Sequence, residues 1–156
     1  MMERSADKQR GIGLLDLMVA LVISALLLSL AVPAYNGFVN RAKNARAIGD
    51  IGTLQVEIER FRLKNNDRVP NTLGELNYDV PDDPWGESYQ FLNIFTAGPG
   101  KGALRKDGKL NPLNTDYDLY SKGEDGDSMG PLSAKASRDD IVRANNGAFI
   151  GLGEEY

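Results

Sequence analysis

The sequence contains no cysteine and no histidine. Without thiols no disulfide framework exists, and cysteine usage says nothing of the redox compartment. Without imidazoles, Ser-His-Asp and Cys-His catalysis are excluded, together with most zinc sites. A basic surplus is missing as well: the formal net charge is −4. Residues 1–10 set Arg4, Lys8 and Arg10 against Glu3 and Asp7, a local +1 that leaves −5 for the rest. Nucleic-acid binding needs basic surface to displace counterions from phosphates, so this balance argues against it. An acidic body is compatible with divalent cations.

What is present is unevenly spread. The 156 residues are enough for one domain plus an extra segment. Long aliphatic side chains crowd into one block near the N-terminus, and beyond about residue 67 the chain is rich in Gly, Asp, Asn and Pro. The pattern predicts an anchor followed by a small, loop-rich head.

The block runs from Ile12 to Val32, 21 residues with one charge, Asp16. As a helix rising ~1.5 Å per residue it spans roughly 31 Å, the thickness of a bilayer core. Thirteen of the 21 are Ile, Leu or Val. At about −0.3 to −0.6 kcal/mol each they contribute roughly −4 to −8 kcal/mol, against about 2.5–3.5 for a central Asp. Insertion wins, and Asp16 stands near the end of the run, where its cost is smaller. A cleaved signal peptide has a shorter apolar core of about 7–15 residues, although Ala31-Val32-Pro33-Ala34 imitates its cleavage site. A plain signal anchor explains the length and the basic flank but not the intramembrane acid.

Residues 8–24, KQRGIGLLDLMVALVIS, carry a more specific pattern. This stretch resembles the prepilin signal of type IV pilins and type II secretion pseudopilins. In that family a basic leader ends in Gly, an inner-membrane peptidase cuts after the Gly and methylates the new N-terminus, and an acid stands fifth in the mature chain. A cut after Gly11 makes Ile12 first and Asp16 fifth, and puts Pro33 where the family favours a Pro. A cut after Gly13 would put Met18 fifth, and that register is rejected. Two departures stand out: Ile12 replaces the usual Phe, and Asp16 replaces the usual Glu, one methylene longer. The resemblance assigns Asp16 to pairing with the N-terminal amine of a neighbouring subunit. A carboxylate in hydrocarbon is tolerated when a cation meets it.

After Pro33 the pattern becomes amphipathic. Ala47, Ile51, Leu54, Ile58 and Phe61 recur at spacings of four, three, four and three, one stripe of an α-helix. Gly37, Gly49 and Gly52 oppose helix formation by about 1 kcal/mol each relative to Ala. Asn65-Asn66-Asp67 followed by Val69-Pro70 is a stop signal. One helix from near 12 to 66 is expected, with Pro33 the place for a bend. In the head, Asn71–Leu76 reads as a helical turn capped by Asn71 or Thr72. Residues 81–86 read as turns, Ser88–Ile94 as a strand, 96–116 as a long loop and Tyr117–Ser121 as a second strand. The remainder, 122–156, reads as loop with a short turn near 138–144. Trp85 reads as a core anchor.

The head resembles the major pseudopilin of type II secretion in three places: FRLKNNDRVP at 61–70, DPWGESYQ at 83–90 and YDLYSKGEDG at 117–126. Together the readings predict an α+β fold, a long N-terminal helix packed on a small antiparallel sheet with a long C-terminal loop. The expected segments are a leader at 1–11, a transmembrane helix at 12–33, an amphipathic helix at 34–66 and the head at 67–156.

Glu124, Asp125 and Asp127 cluster in one Gly-rich loop, and Asp139-Asp140 follow. Calcium takes six to eight oxygens from such loops. Asp125-Gly126-Asp127 imitates the start of an EF-hand, but Met129 and Ala136 stand where further ligands belong, so an EF-hand is rejected. The pseudopilin resemblance implies another ligand set: the Lys122 carbonyl, Asp125, Asp139 and Asp140, with Asp127 as a substitute. It departs from the family in its longer loop 126–138.

The function implied is that of a non-enzymatic filament subunit of a type II secretion pseudopilus, anchored in the bacterial inner membrane by a single pass with its head in the periplasm. The implied partners are further copies of itself, minor pseudopilins, a prepilin peptidase, an inner-membrane assembly platform and an ATPase, with no nucleic acid. Rival readings are a type IV pilus subunit, a non-polymerising calcium-binding module on an anchor, and an anchored enzyme using Asp139 and Asp140.

Overall fold

The computed structural model describes residues 13–97, 104–108 and 110–156. Its first element is α1, Leu14–Lys64. The expected 12–66 helix is therefore present, within two residues at either end. Its termination is chemical. Asn66 and Asp67 adopt left-handed backbone, with φ of 54° and 63°. The Asp67 N–H reaches back to the Arg62 carbonyl at 2.9 Å, the six-to-one bond of a Schellman cap. Arg62 then pairs with Asp67 at 2.6 Å, so the basic side chain of the last turn binds the residue that ends the helix. The chain divides into two compact units, Met1–Val39 and Asn40–Tyr156.

In the first unit, Pro33 stands inside α1. Having no N–H, it leaves the Ser29 carbonyl without its helical donor. The apolar side chains there are exposed: Leu14 is 78%, Leu21 70% and Leu30 74% accessible. This helix is the one described element long and apolar enough to cross a membrane, and none of its most apolar 18-residue window is buried.

In the second unit the helix buries the stripe that the spacing marks. Ala47, Ile51, Leu54 and Ile58 are fully buried, and Phe61 packs against them half-buried. At about 1.5–3 kcal/mol for each large aliphatic side chain, this face holds the helix to the sheet despite Gly49 and Gly52. The sheet has four antiparallel strands in the order of the chain, β1 (Gln90–Asn93), β2 (Tyr117–Ser121), β3 (Ile141–Ala144) and β4 (Phe149–Leu152). Phe91 faces Leu119 across β1–β2, Tyr120 faces Val142 across β2–β3, and Ile141 faces Leu152 across β3–β4. Val69, Leu76, Tyr89, Tyr117, Leu119 and Ile141 complete the main core.

The strands expected at 88–94 and 117–121 are β1 and β2. The loop expected through 122–156 is corrected: β3 and β4 form a hairpin within it. β3 is buried at all four positions, so it lacks the alternation that marks a half-buried strand. The signal that does mark it is Asn146-Gly147 between two apolar runs. Asn145, Asn146 and Gly147 take φ of 50°, 55° and 90°, the left-handed turn a tight hairpin needs. Gly147 also abuts the Gln55 amide of α1 so closely that a Cβ would collide with it.

The turn expected at 71–76 is a short 3-10 turn, Leu73–Glu75. Thr72 precedes it without a side-chain cap, and Glu75 instead accepts the Asn71 N–H at 2.8 Å. Trp85 packs half-buried against the core, with the Lys43 ammonium 5.9 Å from its ring centre. Asp83 explains the turn that carries Trp85. Its Oδ1 accepts the Trp85 and Glu87 N–H groups at 3.0 and 2.9 Å, and its Oδ2 accepts the Ser121 hydroxyl of β2 at 2.5 Å.

Candidate functional site

The residues with implied roles fall in two places, the start of α1 and the loop between β2 and β3. At the first, Gly11 and Ile12 lie outside the described residues. Gly13 precedes the helix and Asp16 sits in its first turn. The Asp16 carboxylate accepts the Gly13 N–H at 3.1 Å. This is the acidic half of a capping box: the third helical residue reaches back to a donor that the helix cannot satisfy itself. In the single chain the acid therefore stabilises its own helix end. Its one acceptor bond here leaves further lone pairs for a second donor.

The loop begins as β2 ends at Ser121. Gly123 has a φ of +69° and lies against the Asp139 carbonyl and carboxylate so closely that no Cβ would fit. The Asp125 N–H donates to the Asp139 carboxylate at 3.0 Å, and the Asp127 N–H donates to that of Asp125 at 2.8 Å. Asp125 and Asp127 thus follow Lys122 in one turn, and Asp139 meets that turn from the far end of the loop. Glu124 leaves them and accepts the Asn40 amide at 3.0 Å, tying the loop to α1.

Asp140 lies elsewhere. It is fully buried, and its Oδ2 is paired with Arg105 and accepts the Ser128 hydroxyl at 2.7 Å. Burial pushes its carboxyl up against the pull of Arg105. Asp139 stays with the acidic turn while Asp140, next in the chain and one residue before β3, turns into the head. Among the described residues, no three acidic side chains converge closely enough to hold a metal. Calcium needs six to eight oxygens around one point. With Asp140 committed to a guanidinium, the five-residue set does not fit that requirement as arranged.

Two buried arginines were not singled out by the sequence. Arg105, between β1 and β2, and Arg143, on β3, are each 2% exposed. Arg143 donates to both carboxylate oxygens of Asp116 at 2.9 and 2.8 Å, to the Tyr117 carbonyl at 3.1 Å, and to Gln55 of α1 at 3.1 Å. Its guanidinium stacks 3.9 Å from the centre of the Tyr117 ring. Partial burial opposes ionisation of Asp116, yet the Arg143 bonds and the Tyr117 N–H hold its carboxyl below the ordinary value. Asp118 is pushed the other way: burial raises its carboxyl despite bonds from the Arg105 N–H and the Asn114 amide. These groups face the sheet and the core rather than an open cleft, so they brace the head.

Comparison with known proteins places this architecture. No family model matches the chain, and no solved structure matches it significantly. Among curated proteins, the type II secretion system core protein G of Pectobacterium carotovorum subsp. carotovorum is 34% identical over 125 residues, covering 62% of this chain and 80% of that protein. Core protein G of Escherichia coli (strain K12) is 32% identical over 145 residues, covering 80% and 88%. That of Dickeya chrysanthemi is 31% identical over 148 residues, covering 76% and 95%. With an exposed apolar helix leading into a helix-on-sheet head, and with relatives matched over most of both chains, this chain belongs to the type II secretion system core protein G family, the major pseudopilins.

Proposed function

We propose that the chain is cut after Gly11, methylated at Ile12, and assembled through its N-terminal helix into the pseudopilus that serves protein secretion. The membership itself follows from the relatives; the processing and the assembly contact are this reading's own. The observation that carries it is the place of Asp16. It stands in the first turn of an apolar helix whose large side chains are exposed, where a carboxylate costs free energy unless a cation meets it. The amine of Ile12 in an adjacent copy is such a cation. Packing of exposed apolar helices then repeats the same heterologous contact from copy to copy, which builds a helical filament instead of a closed ring.

In this reading the subunit is structural and has no catalytic task. It waits as a single-pass protein of the bacterial inner membrane with its head in the periplasm. A prepilin peptidase trims it, an inner-membrane platform driven by an ATPase adds it to the filament, and minor pseudopilins cap the product.

The experiment is the N-terminal mass of the protein recovered from membranes, paired with Asp16→Ala. The expected result is a methylated chain beginning at Ile12, together with a variant that inserts and is trimmed but forms no filament. A native protein that keeps its first eleven residues overturns the processing. A variant that assembles normally overturns the role of Asp16.

A further inference from the structure

Three stretches remote in sequence meet at one guanidinium. Arg105 Nη1 donates to the Ser128 hydroxyl at 2.5 Å and the Met129 carbonyl at 2.6 Å, while Nη2 pairs with Asp140. The Tyr120 ring of β2 stacks on the same group, its centre 4.0 Å away. The backbone around it is equally fixed. The Arg105 N–H donates to Asp118 at 2.9 Å, the Lys106 N–H to the Gly130 carbonyl at 3.0 Å, and the Leu132 N–H to the Lys106 carbonyl at 2.9 Å. Both members of the ion pair are buried, with side chains 3% and 0% exposed.

A hydroxyl, a carbonyl and a carboxylate from one long loop are the oxygens a hard divalent cation would gather. Here a planar cation with five donors gathers them instead. It arrives covalently attached to the neighbouring connection. A buried carboxylate such as Asp140 needs a partner, and Arg105 supplies one to Oδ2 without metal, while Oδ1 has no hydrogen-bond donor among the described residues.

We infer that Arg105 is the built-in cation of the 122–140 loop, and that it holds this loop folded without bound calcium. The site implied by resemblance lacks Asp140 because Asp140 already serves this pair. The connection 104–107 is thereby the loop's clamp, and Arg105 acts as a positioning residue for Ser128, Met129 and Asp140.

The test uses the full chain in detergent micelles. Two readouts are taken, the melting temperature by circular dichroism and trypsin cleavage at Lys122, Lys135 and Arg138, all within the loop. Each is measured in EGTA and in excess calcium chloride. The native chain is expected to melt at one temperature and resist trypsin equally in both. A calcium-stapled loop would instead gain roughly 5–10 °C at a hundredfold excess over Kd, and that result overturns the inference. Arg105→Met leaves Asp140 buried without its cation, and the expected loss is roughly 10 °C or more, with cleavage inside the loop. Arg105→Met combined with Asp140→Leu removes both charges and is expected to recover most of the loss, still without a calcium response. If the double variant melts no higher than Arg105→Met, or if neither folds, the pairing is not what the loop needs and the inference fails.

Discussion

Replacement of Arg143 by Met is the sharpest test of how the head is held together. Methionine keeps most of the aliphatic volume and removes only the guanidinium. The loss falls on named groups: a carboxylate bonded through both oxygens, a backbone carbonyl, a helix amide and a stacked ring. Breaking a buried ion pair from one side costs about 3–5 kcal/mol. Asp116 is not fully buried, its side chain being 16% exposed, so water relieves part of that cost. The stacking adds about 0.5–2 kcal/mol and the orphaned Tyr117 carbonyl about 1–3 kcal/mol. Taken together, a destabilisation of about 4 kcal/mol is the central expectation, which at about 4 °C per kcal/mol lowers Tm by roughly 16 °C. The assay is thermal melting of the full chain in detergent, run as a double-mutant cycle with Asp116→Ala. Two residues in direct contact are expected to couple by about 1–3 kcal/mol. A shift of Tm below about 2 °C, or a coupling near zero, would show that this buried pair does not brace the head.

Two further outcomes follow from the same contacts. Asp83→Ala removes the acceptor for the Trp85 and Glu87 N–H groups and for the Ser121 hydroxyl, so urea unfolding should show a loss of about 2–4 kcal/mol with red-shifted Trp85 fluorescence, and an unchanged midpoint would refute it. Because Arg143 holds the Asp116 carboxyl below its ordinary value, the stability this pair adds is complete above that value and is lost as pH falls through the lowered one. Urea midpoints of the native chain and Asp116→Asn should therefore differ at neutral pH and converge below about pH 4; curves that stay parallel to pH 2 would refute the linkage.

How far the sequence reveals this depends on whether a residue's role is local. The helix was legible because its stripe repeats every three or four residues and its stop is spelled out in consecutive positions, Asn65 to Pro70. The strands Gln90–Asn93 and Tyr117–Ser121 were legible from aromatic and leucine content between turn signals. The final hairpin was hidden because Ile141–Ala144 is buried on both faces and includes an arginine, which breaks an apolar run. Arg105 and Arg143 were hidden as well. Their partners lie 35 and 27 positions away, and only the folded chain brings charge to charge. The acidic loop was visible as composition, but which carboxylate turns inward was not. Asp139 and Asp140 are neighbours in sequence, yet one meets the Asp125 N–H and the other the buried Arg105.

The snug seat of Gly147 on the Gln55 amide has a mechanical consequence. One residue of travel along a helix axis is about 1.5 Å, and a quarter turn swings a side chain by several ångströms. Either displacement would drive Gln55 into the hairpin tip or tear it from Arg143. The tip therefore works like a pawl in a ratchet wheel, fixing both the rotation and the axial position of Asn40–Lys64 against the four strands. Force applied along that part of the rod reaches the strands without slippage.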